Sequence, residues 1–483
     1  MNDARVLNLL TNINRWWEGE PVPSSITAEH RRRDFHVLRR KLQQEDGILT
    51  IRGPRQVGKT TVVGQLIESV LDRADPRRVL YLNIENSQIL SESGDIIRKS
   101  LELYENNILG VSFQRLENPV YVFIDEIQKA PGWASVLKYY TDTYDSLKFV
   151  VTGSVSTLID SDAEETLVGR LDRFTMFPMK YIEYARYEET LPLEKIKDLS
   201  NEMRASFCEG VISGDRSKLN DAFMEMWAGL SAVEAELTDL KNRYLLRGGY
   251  PGILGINENV DVLNKLDEDI RDIVRGDLPS VFPVQKPEKA LHLLNLLVES
   301  SGSKFSRESA ADAIGASREL VENYLEYLEK FYLVNPTPQY SSSEYNRRGG
   351  LPKYYLQDVG FYNTLNGTLS ERTLRDEERL GPILETAVRD HLGRLQYHLS
   401  GYRTGEVAYW DANGEVDFVL SEADYLLPVE IKNGDSTKTS LRGMHNFLDK
   451  TGAPFGIVVN NAGVFDDDGD IFHVPAWLFF FIC

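Results

Sequence analysis

One octapeptide limits this chain more than any other feature: Gly53-Pro54-Arg55-Gln56-Val57-Gly58-Lys59-Thr60, followed by Thr61. It satisfies G-x-x-x-x-G-K-[ST] at every fixed position. The apolar run Gly47-Ile48-Leu49-Thr50-Ile51 before it reads as a buried strand, and Thr61–Ile67 after it reads as a helix. A strand feeding a glycine-rich loop and then a helix turns successive backbone N–H groups onto phosphate oxygens, with the positive helix end aimed at the same anion. Gly53 through Thr61 are therefore the expected nucleotide-binding residues. Lys59 is expected to reach the β- and γ-phosphates, and the Thr60 hydroxyl to ligate Mg²⁺.

A phosphate-binding loop needs a carboxylate on a neighbouring strand. Tyr121-Val122-Phe123-Ile124-Asp125-Glu126 supplies one, with the acids emerging at the C-terminal end of a four-residue apolar run. Ligands of open parallel sheets bind at that end. Asp125 is expected to hold Mg²⁺, and Glu126 to orient or deprotonate the attacking water. The next strand ends in Thr152-Gly153-Ser154, whose hydroxyls are candidates for sensing the γ-phosphate. Arg170 and Arg173 offer guanidinium groups that could stabilise transition-state charge, in their own subunit or a neighbour's.

With 483 residues the chain is too long for one core. Hydrophobic residues at 42% and charged residues at 27% are ordinary for a globular protein. A net charge of −20 argues against a globally basic nucleic-acid coat but leaves room for a local basic face. Two cysteines, Cys208 and Cys483, allow neither a disulfide framework nor a cysteine metal site. The N-terminus lacks a signal-peptide core, and no apolar run approaches the ~18 residues of a membrane span. A cytoplasmic location without membrane insertion is expected. The apolar tail Val474–Cys483 is expected to pack as a final strand or helix end.

Four segments are expected. The first, residues 1–185, opens with a helical, charged stretch over 1–46 and then alternates strands and helices from 47 to about 180, with strands over 48–51, 79–84, 120–124 and 148–152, the rhythm of a helix-covered parallel sheet. Residues 186–245 read as an inserted helical lid or spacer. Residues 246–340 are helical and contain a winged-helix pattern: a helix over 309–314, a turn at Gly315-Ala316-Ser317, and a second helix from Arg318 to Phe331. That second helix carries Glu319, Glu322, Glu326 and Glu329 against only Arg318 and Lys330, a poor balance for contacting phosphates. Residues 341–483 form a last α/β unit, opened by a flexible, weakly basic loop (Ser341–Ser343, Arg347–Gly350).

Together with Ile127-Gln128-Lys129, Gly169-Arg170, Tyr181-Ile182-Glu183-Tyr184, Arg247-Gly248-Gly249-Tyr250-Pro251 and Lys353–Gly360, these motifs resemble a large prokaryotic family. Its members are AAA-type ATPases with a C-terminal domain of restriction-endonuclease-like type. The resemblance covers nearly the whole chain and departs at the long helical insert. It implies ATP and Mg²⁺ as cofactors. Because AAA-type sites often borrow an arginine from a neighbour, it also implies a homo-oligomer.

In the last segment, a helix opening at Gly381-Pro382, with Glu385 in its first turn, is followed by strands at 407–410, 415–420 and 427–432. A helix at 440–450 and a strand at 455–459 complete the order α-β-β-β-α-β, which resembles the PD-(D/E)xK nuclease core. Glu430 and Lys432 share one strand face because the side-chain period is two. Glu385, Asp417 and Glu430 are candidate Mg²⁺ ligands, and Lys432 a candidate for activating water or neutralising phosphate charge. His391, His398 and His445 have no metal-ligand spacing and read as structural. Two functions remain open: ATP turnover coupled to DNA binding or processing, and a nucleotide switch acting on a protein partner through a nuclease-like domain that does not cut.

Overall fold

Apolar runs of five to seven residues separated by amphipathic helices build a parallel sheet, because each crossover helix covers a sheet face. The structure is a computed structural model. It describes residues 3–44, 47–84, 95–154, 166–188, 193–341 (193–200 by backbone only), 350–368, 370–402, 405–422, 425–433, 441–461 and 465–482. Most of the expected loop over 341–350 and Cys483 lie outside these residues. The chain divides into two compact units, Met1–Phe177 and Pro178–Cys483.

In the first unit, strands β1 (Ile48–Arg52), β2 (Val79–Asn83), β3 (Val120–Asp125), β4 (Leu147–Gly153) and β5 (Leu171–Thr175) form one sheet in the order β2-β3-β4-β1-β5. Every pairing is parallel. All four expected strands are present, within one or two residues at each end. The core beneath the sheet gathers Ile48, Leu80, Val122, Phe149 and Val151 with Leu101, Tyr104 and Leu137 from the helices.

The β2 edge is not left open. The helix Asp3–Ile13 leads to Asn14, which is fully buried. Asn14 Oδ1 accepts the Tyr81 N–H at 2.6 Å, and Asn14 Nδ2 donates to the Tyr81 carbonyl at 3.0 Å. The indole N–H groups of Trp16 and Trp17 both donate to the Val79 carbonyl, at 3.0 and 2.9 Å. Side chains thus supply the pairing that a further strand would have made, and an exposed sheet edge is closed.

The second unit begins at Pro178, ahead of the expected boundary at 185/186. The helical insert is present as Leu193–Ser213, Arg216–Leu230 and Glu234–Arg247. It does not stand apart as a lid. Phe223 meets Phe465 and Phe472, each at 5.7 Å between ring centroids, and Trp227 stacks on Trp477 at 5.6 Å. Arg216 pairs with Asp467. The insert is therefore a wall of the C-terminal α/β layer, its aromatic face answering the apolar tail.

The helices Arg307–Ile314 and Arg318–Lys330 follow the expected helix-turn-helix pattern. Gly315 ends the first with φ of 60°, and the Ser317 hydroxyl accepts the Leu320 N–H to cap the second. An antiparallel hairpin follows, β6 (Val334–Thr337) and β7 (Lys353–Leu356). The chain beyond β6 runs on to Tyr409, whose N–H and carbonyl bond Pro338 and Tyr340 at 2.9 and 2.6 Å. The hairpin is thereby joined to the neighbouring sheet, with Tyr354, Tyr355 and Leu356 buried.

That sheet has six strands: β8 (Val407–Asp411), β9 (Glu415–Glu422), β10 (Tyr425–Lys432), β11 (Gly456–Asn460), β12 (Asp466–Asp468) and β13 (Ile471–Pro475). Their order is β12-β13-β11-β10-β9-β8. The α-β-β-β-α-β succession is present, with β12, β13 and the helix Ala476–Ile482 added at its end. The apolar tail is that helix, buried along its length. One expectation needs correcting: the first helix opens at Glu377, not at Gly381-Pro382. Asp376 caps it by accepting the N–H groups of Glu378 and Arg379, so Pro382 lies inside the helix and Glu385 in its third turn.

Candidate functional site

The loop between β1 and the helix Lys59–Leu71 is shaped by backbone that only glycine accepts at its start. Gly53 has φ of 148°, and a Cβ there would lie 2.1 Å from the Met176 carbonyl oxygen. Lys59 is buried, and its Nζ donates to the carbonyls of Gly53 at 3.0 Å and Pro54 at 2.8 Å, so the ammonium sits inside the loop it serves. Outside the loop, Arg32 donates to the Val57 carbonyl at 2.9 Å and to the Phe177 carbonyl at 2.9 Å. Gln65 on the loop's own helix donates to the carbonyls of Ala28 and His30, both at 2.8 Å. Gly64 admits this upstream segment, since a Cβ there would lie 1.8 Å from the Ile26 carbonyl oxygen.

Asp125 ends β3 beside the loop. Its Oδ2 accepts from the Thr60 hydroxyl at 2.7 Å and from the Tyr81 hydroxyl at 3.2 Å, and its Oδ1 accepts from Thr152. Burial, and next the Asp125 charge, push the Tyr81 hydroxyl well above its ordinary value, so it acts as a fixed donor. Thr60 and Asp125 present hydroxyl and carboxylate oxygens to one place, the donor chemistry that Mg²⁺ takes.

Glu126 has φ of 55°, an uncommon conformation for a non-glycine residue. Its N–H donates to Thr152 Oγ1 at 3.1 Å. Its carboxylate accepts from Ser154 Oγ at 3.1 Å and from Gln128 Nε2 at 2.6 Å. Lys59, Thr60, Asp125, Glu126, Thr152 and Ser154 thus form one connected site. Arg170 does not join it. β5 runs parallel to β1 with Ile48 opposite Leu171 and Arg52 opposite Thr175, so Arg170 stands at the sheet edge opposite the loop. There its Nε meets Asp142 at 2.6 Å. A role for Arg170 at its own subunit's loop is corrected on this geometry. Tyr81, Gln128 and Arg32 were not singled out from the sequence as site residues: a strand tyrosine and a distant arginine carry no motif, and Gln128 appeared only within the Ile127-Gln128-Lys129 motif without a role.

In the second unit, Asp417 on β9 falls opposite Glu430 on β10, one step beyond the paired Phe418 and Val429. The four expected residues come together, and each carboxylate accepts one internal hydrogen bond, while Glu430 Oε2 is buried without a hydrogen-bond partner among the described residues. Lys432 Nζ donates to Glu430 Oε1 at 2.6 Å, the Ile431 N–H to Asp417 Oδ2 at 2.8 Å, and the Tyr355 hydroxyl to Glu385 Oε2 at 3.1 Å. Burial, and next the Asp417 charge, push both Glu385 and Glu430 upward, and burial raises Asp417 as well. Burial works against the Lys432 charge, but Glu430 outweighs it and the ammonium is held above its usual value. Among the described residues no three His, Cys, Asp or Glu side chains are set to hold a metal ion. A three-carboxylate Mg²⁺ centre from Glu385, Asp417 and Glu430 is not assembled in this arrangement, although Glu430 Oε2 is left without a hydrogen-bond partner among the described residues. His391 is buried and structural, its Nδ1 at 2.8 Å from the Ala387 carbonyl and its Nε2 accepting the Tyr181 N–H at 3.3 Å.

The sheet order and the loop with the adjacent Asp125-Glu126 give the first unit a P-loop-like fold, and residues 45–185 match the family described as AAA domain. Residues 238–372 and 380–479 match two domains of unknown function, DUF8612 and DUF4143. The chain is 23% identical over 462 residues to the uncharacterized protein MJ1637 of Methanocaldococcus jannaschii, covering 94% of this chain and 90% of that one. It is 22% identical to the uncharacterized protein MJ1544 of the same organism, covering 77% and 72%. Among solved structures, the Walker-type ATPase PabY2304 of Pyrococcus abyssi is similar with a TM-score of 0.40 and 13% identity, over 70% of this chain and 96% of that one. Among the described residues no helix is long and apolar enough to cross a membrane.

Proposed function

We propose that the first unit binds and hydrolyses ATP with Mg²⁺, and that turnover switches the second unit toward a protein partner. The observation that carries the ATPase reading is the Thr60–Asp125 contact at 2.7 Å beside a buried Lys59. Lys59 would neutralise the β- and γ-phosphates, and Thr60 and Asp125 would hold Mg²⁺, which would supply charge compensation to the phosphates. Glu126 orients the attacking water and takes its proton, while Ser154 keeps the Glu126 carboxylate in place. Arg170, half-buried against Asp142 at the far end of the sheet, would have to leave that pair to serve a neighbouring subunit's site in a homo-oligomer.

The switch reading rests on the second unit's electrostatics. Arg318 is paired with Glu308 of the preceding helix at 2.7 Å and with Glu322 at 3.0 Å, and Lys330 with Glu326, so the basic side chains of the helix Arg318–Lys330 are spent on neighbouring acids. One oxygen on each of Glu385, Asp417 and Glu430 is taken by an internal donor, which favours a nuclease-like domain that binds without cutting. DNA processing is the second reading, favoured by Asp417 and Glu430 facing each other beside Lys432. The test is phosphate release from ATP and Mg²⁺ with and without DNA, at low and high salt, with Lys59→Ala as blank. Turnover indifferent to DNA supports the switch. Strong, salt-sensitive stimulation by DNA makes processing the function instead.

A further inference from the structure

We propose that Gln128 is a positioning residue for ATP hydrolysis, holding the Glu126 carboxylate where the attacking water is met; this rests on the ATPase reading above.

Glu126 is fixed at both ends. Its backbone leaves β3 in the left-handed region and is pinned by the bond from its N–H to Thr152. Non-glycine residues keep such conformations when their surroundings over-determine them, and they gather at active sites. Its carboxylate is then held on one oxygen by Ser154 and on the other by Gln128. Gln128 is itself carried on a rigid turn. Ile127, fully buried, anchors the short helix Ile127–Lys129, and the Lys129 and Ala130 N–H groups bond back to the Glu126 and Ile127 carbonyls at 3.1 and 2.9 Å.

The chemistry of the amide fixes its orientation, because a carboxylate accepts and does not donate. Nε2 faces Glu126 at 2.6 Å, while Gln128 Oε1 is buried without a hydrogen-bond partner among the described residues. A side chain kept for packing alone has no reason to bury an unpaired acceptor; this one spends its donor on Glu126. A carboxylate offers about four lone-pair sites, so two donors still leave Glu126 room to accept from water. Phosphoryl transfer depends mainly on positioning, and a misplacement of about 1 Å in such a group costs on the order of a hundredfold in rate.

The experiment compares Gln128→Ala, the isosteric Gln128→Glu, Glu126→Gln and the double variant Glu126→Gln/Gln128→Ala in steady-state ATPase assays, with ATP affinity and thermal stability measured alongside. Both Gln128 variants should lose about 10- to 100-fold in kcat with KM for ATP and melting temperature little changed. Gln128→Glu keeps the volume but sets a like charge against Glu126, so it decides the case if the alanine variant folds poorly. The double variant should be no slower than Glu126→Gln alone, because Gln128 acts only through that carboxylate. Gln128 variants with wild-type or raised kcat, or a further loss in the double variant, overturn the proposal. If Glu126→Gln itself turns over normally, the assignment of Glu126 has failed instead.

Discussion

The Thr60 hydroxyl and Asp125 Oδ2 lie 2.7 Å apart across 65 residues of sequence, joining the first turn of the loop helix to the end of the neighbouring strand. The same aspartate is held by Tyr81 and Thr152, so the oxygen that faces the loop is fixed before any ligand arrives. The site is preorganised, and its failures should be local.

Lys59→Ala should abolish ATP binding or turnover, because the phosphates lose the ammonium caged by Gly53 and Pro54. Filter binding with radiolabelled ATP checks this, and wild-type retention would remove the loop from the site.

Glu126→Gln should retain ATP while slowing hydrolysis by roughly 10²–10⁴-fold, the usual loss with a general base. Single-turnover kinetics separate the two effects.

Asn14→Ala should destabilise the first unit by about 2–4 kcal/mol, since it leaves the Tyr81 N–H and carbonyl unpaired in a buried place. Denaturant titration followed by tryptophan fluorescence reads the loss. A change within ~0.5 kcal/mol would mean that water replaces the side chain.

The second unit should lose stability as pH rises. Burial pushes Asp358 up to about 7, and Glu385, Asp417 and Glu430 shift the same way. A carboxyl raised in the folded state gives stability that is full at low pH and fades as pH climbs through the folded value. His391 is displaced downward by burial and acts oppositely, losing stability as pH falls below its ordinary 6.5. Between about pH 6.5 and 7.5 the carboxyls therefore dominate, and the melting temperature should fall. Glu385→Gln should flatten that slope and raise stability at the upper end. A slope unchanged in the variant would place the effect on Asp358, Asp417 and Glu430 instead.

Purified protein with Mg²⁺ or Mn²⁺ should cut DNA no faster than its Glu430→Ala variant. Lys432→Met should instead lower thermal stability, because the half-buried ammonium is Glu430's partner. Cutting that disappears with Glu430→Ala and leaves ATPase intact would restore the nuclease reading.

The loop, the Asp-Glu pair and four strands were legible because each has a local signature: fixed glycines, a lysine at set spacing, apolar runs ending in acids. What was not legible depends on partners. Arg170 looked like a finger until β5 paired beside β1 and carried it to the wrong edge. Pro382 looked like a helix start because proline is favoured there, yet Asp376 caps the helix earlier. The insert looked like a lid because its aromatic face gave no hint of Phe472 and Trp477, some 250 residues on. Tyr81 and Asn14 are single polar groups whose meaning exists only once β2 is an edge.

That edge also fixes where the protein can be cut. A fragment trimmed to the strand–loop–helix core would keep every phosphate-binding atom and discard Asn14, Trp16 and Trp17. The bared strand Val79–Asn83 would then recruit the same strand of another molecule. Such a fragment should fail in the flask by self-association long before it fails as a catalyst.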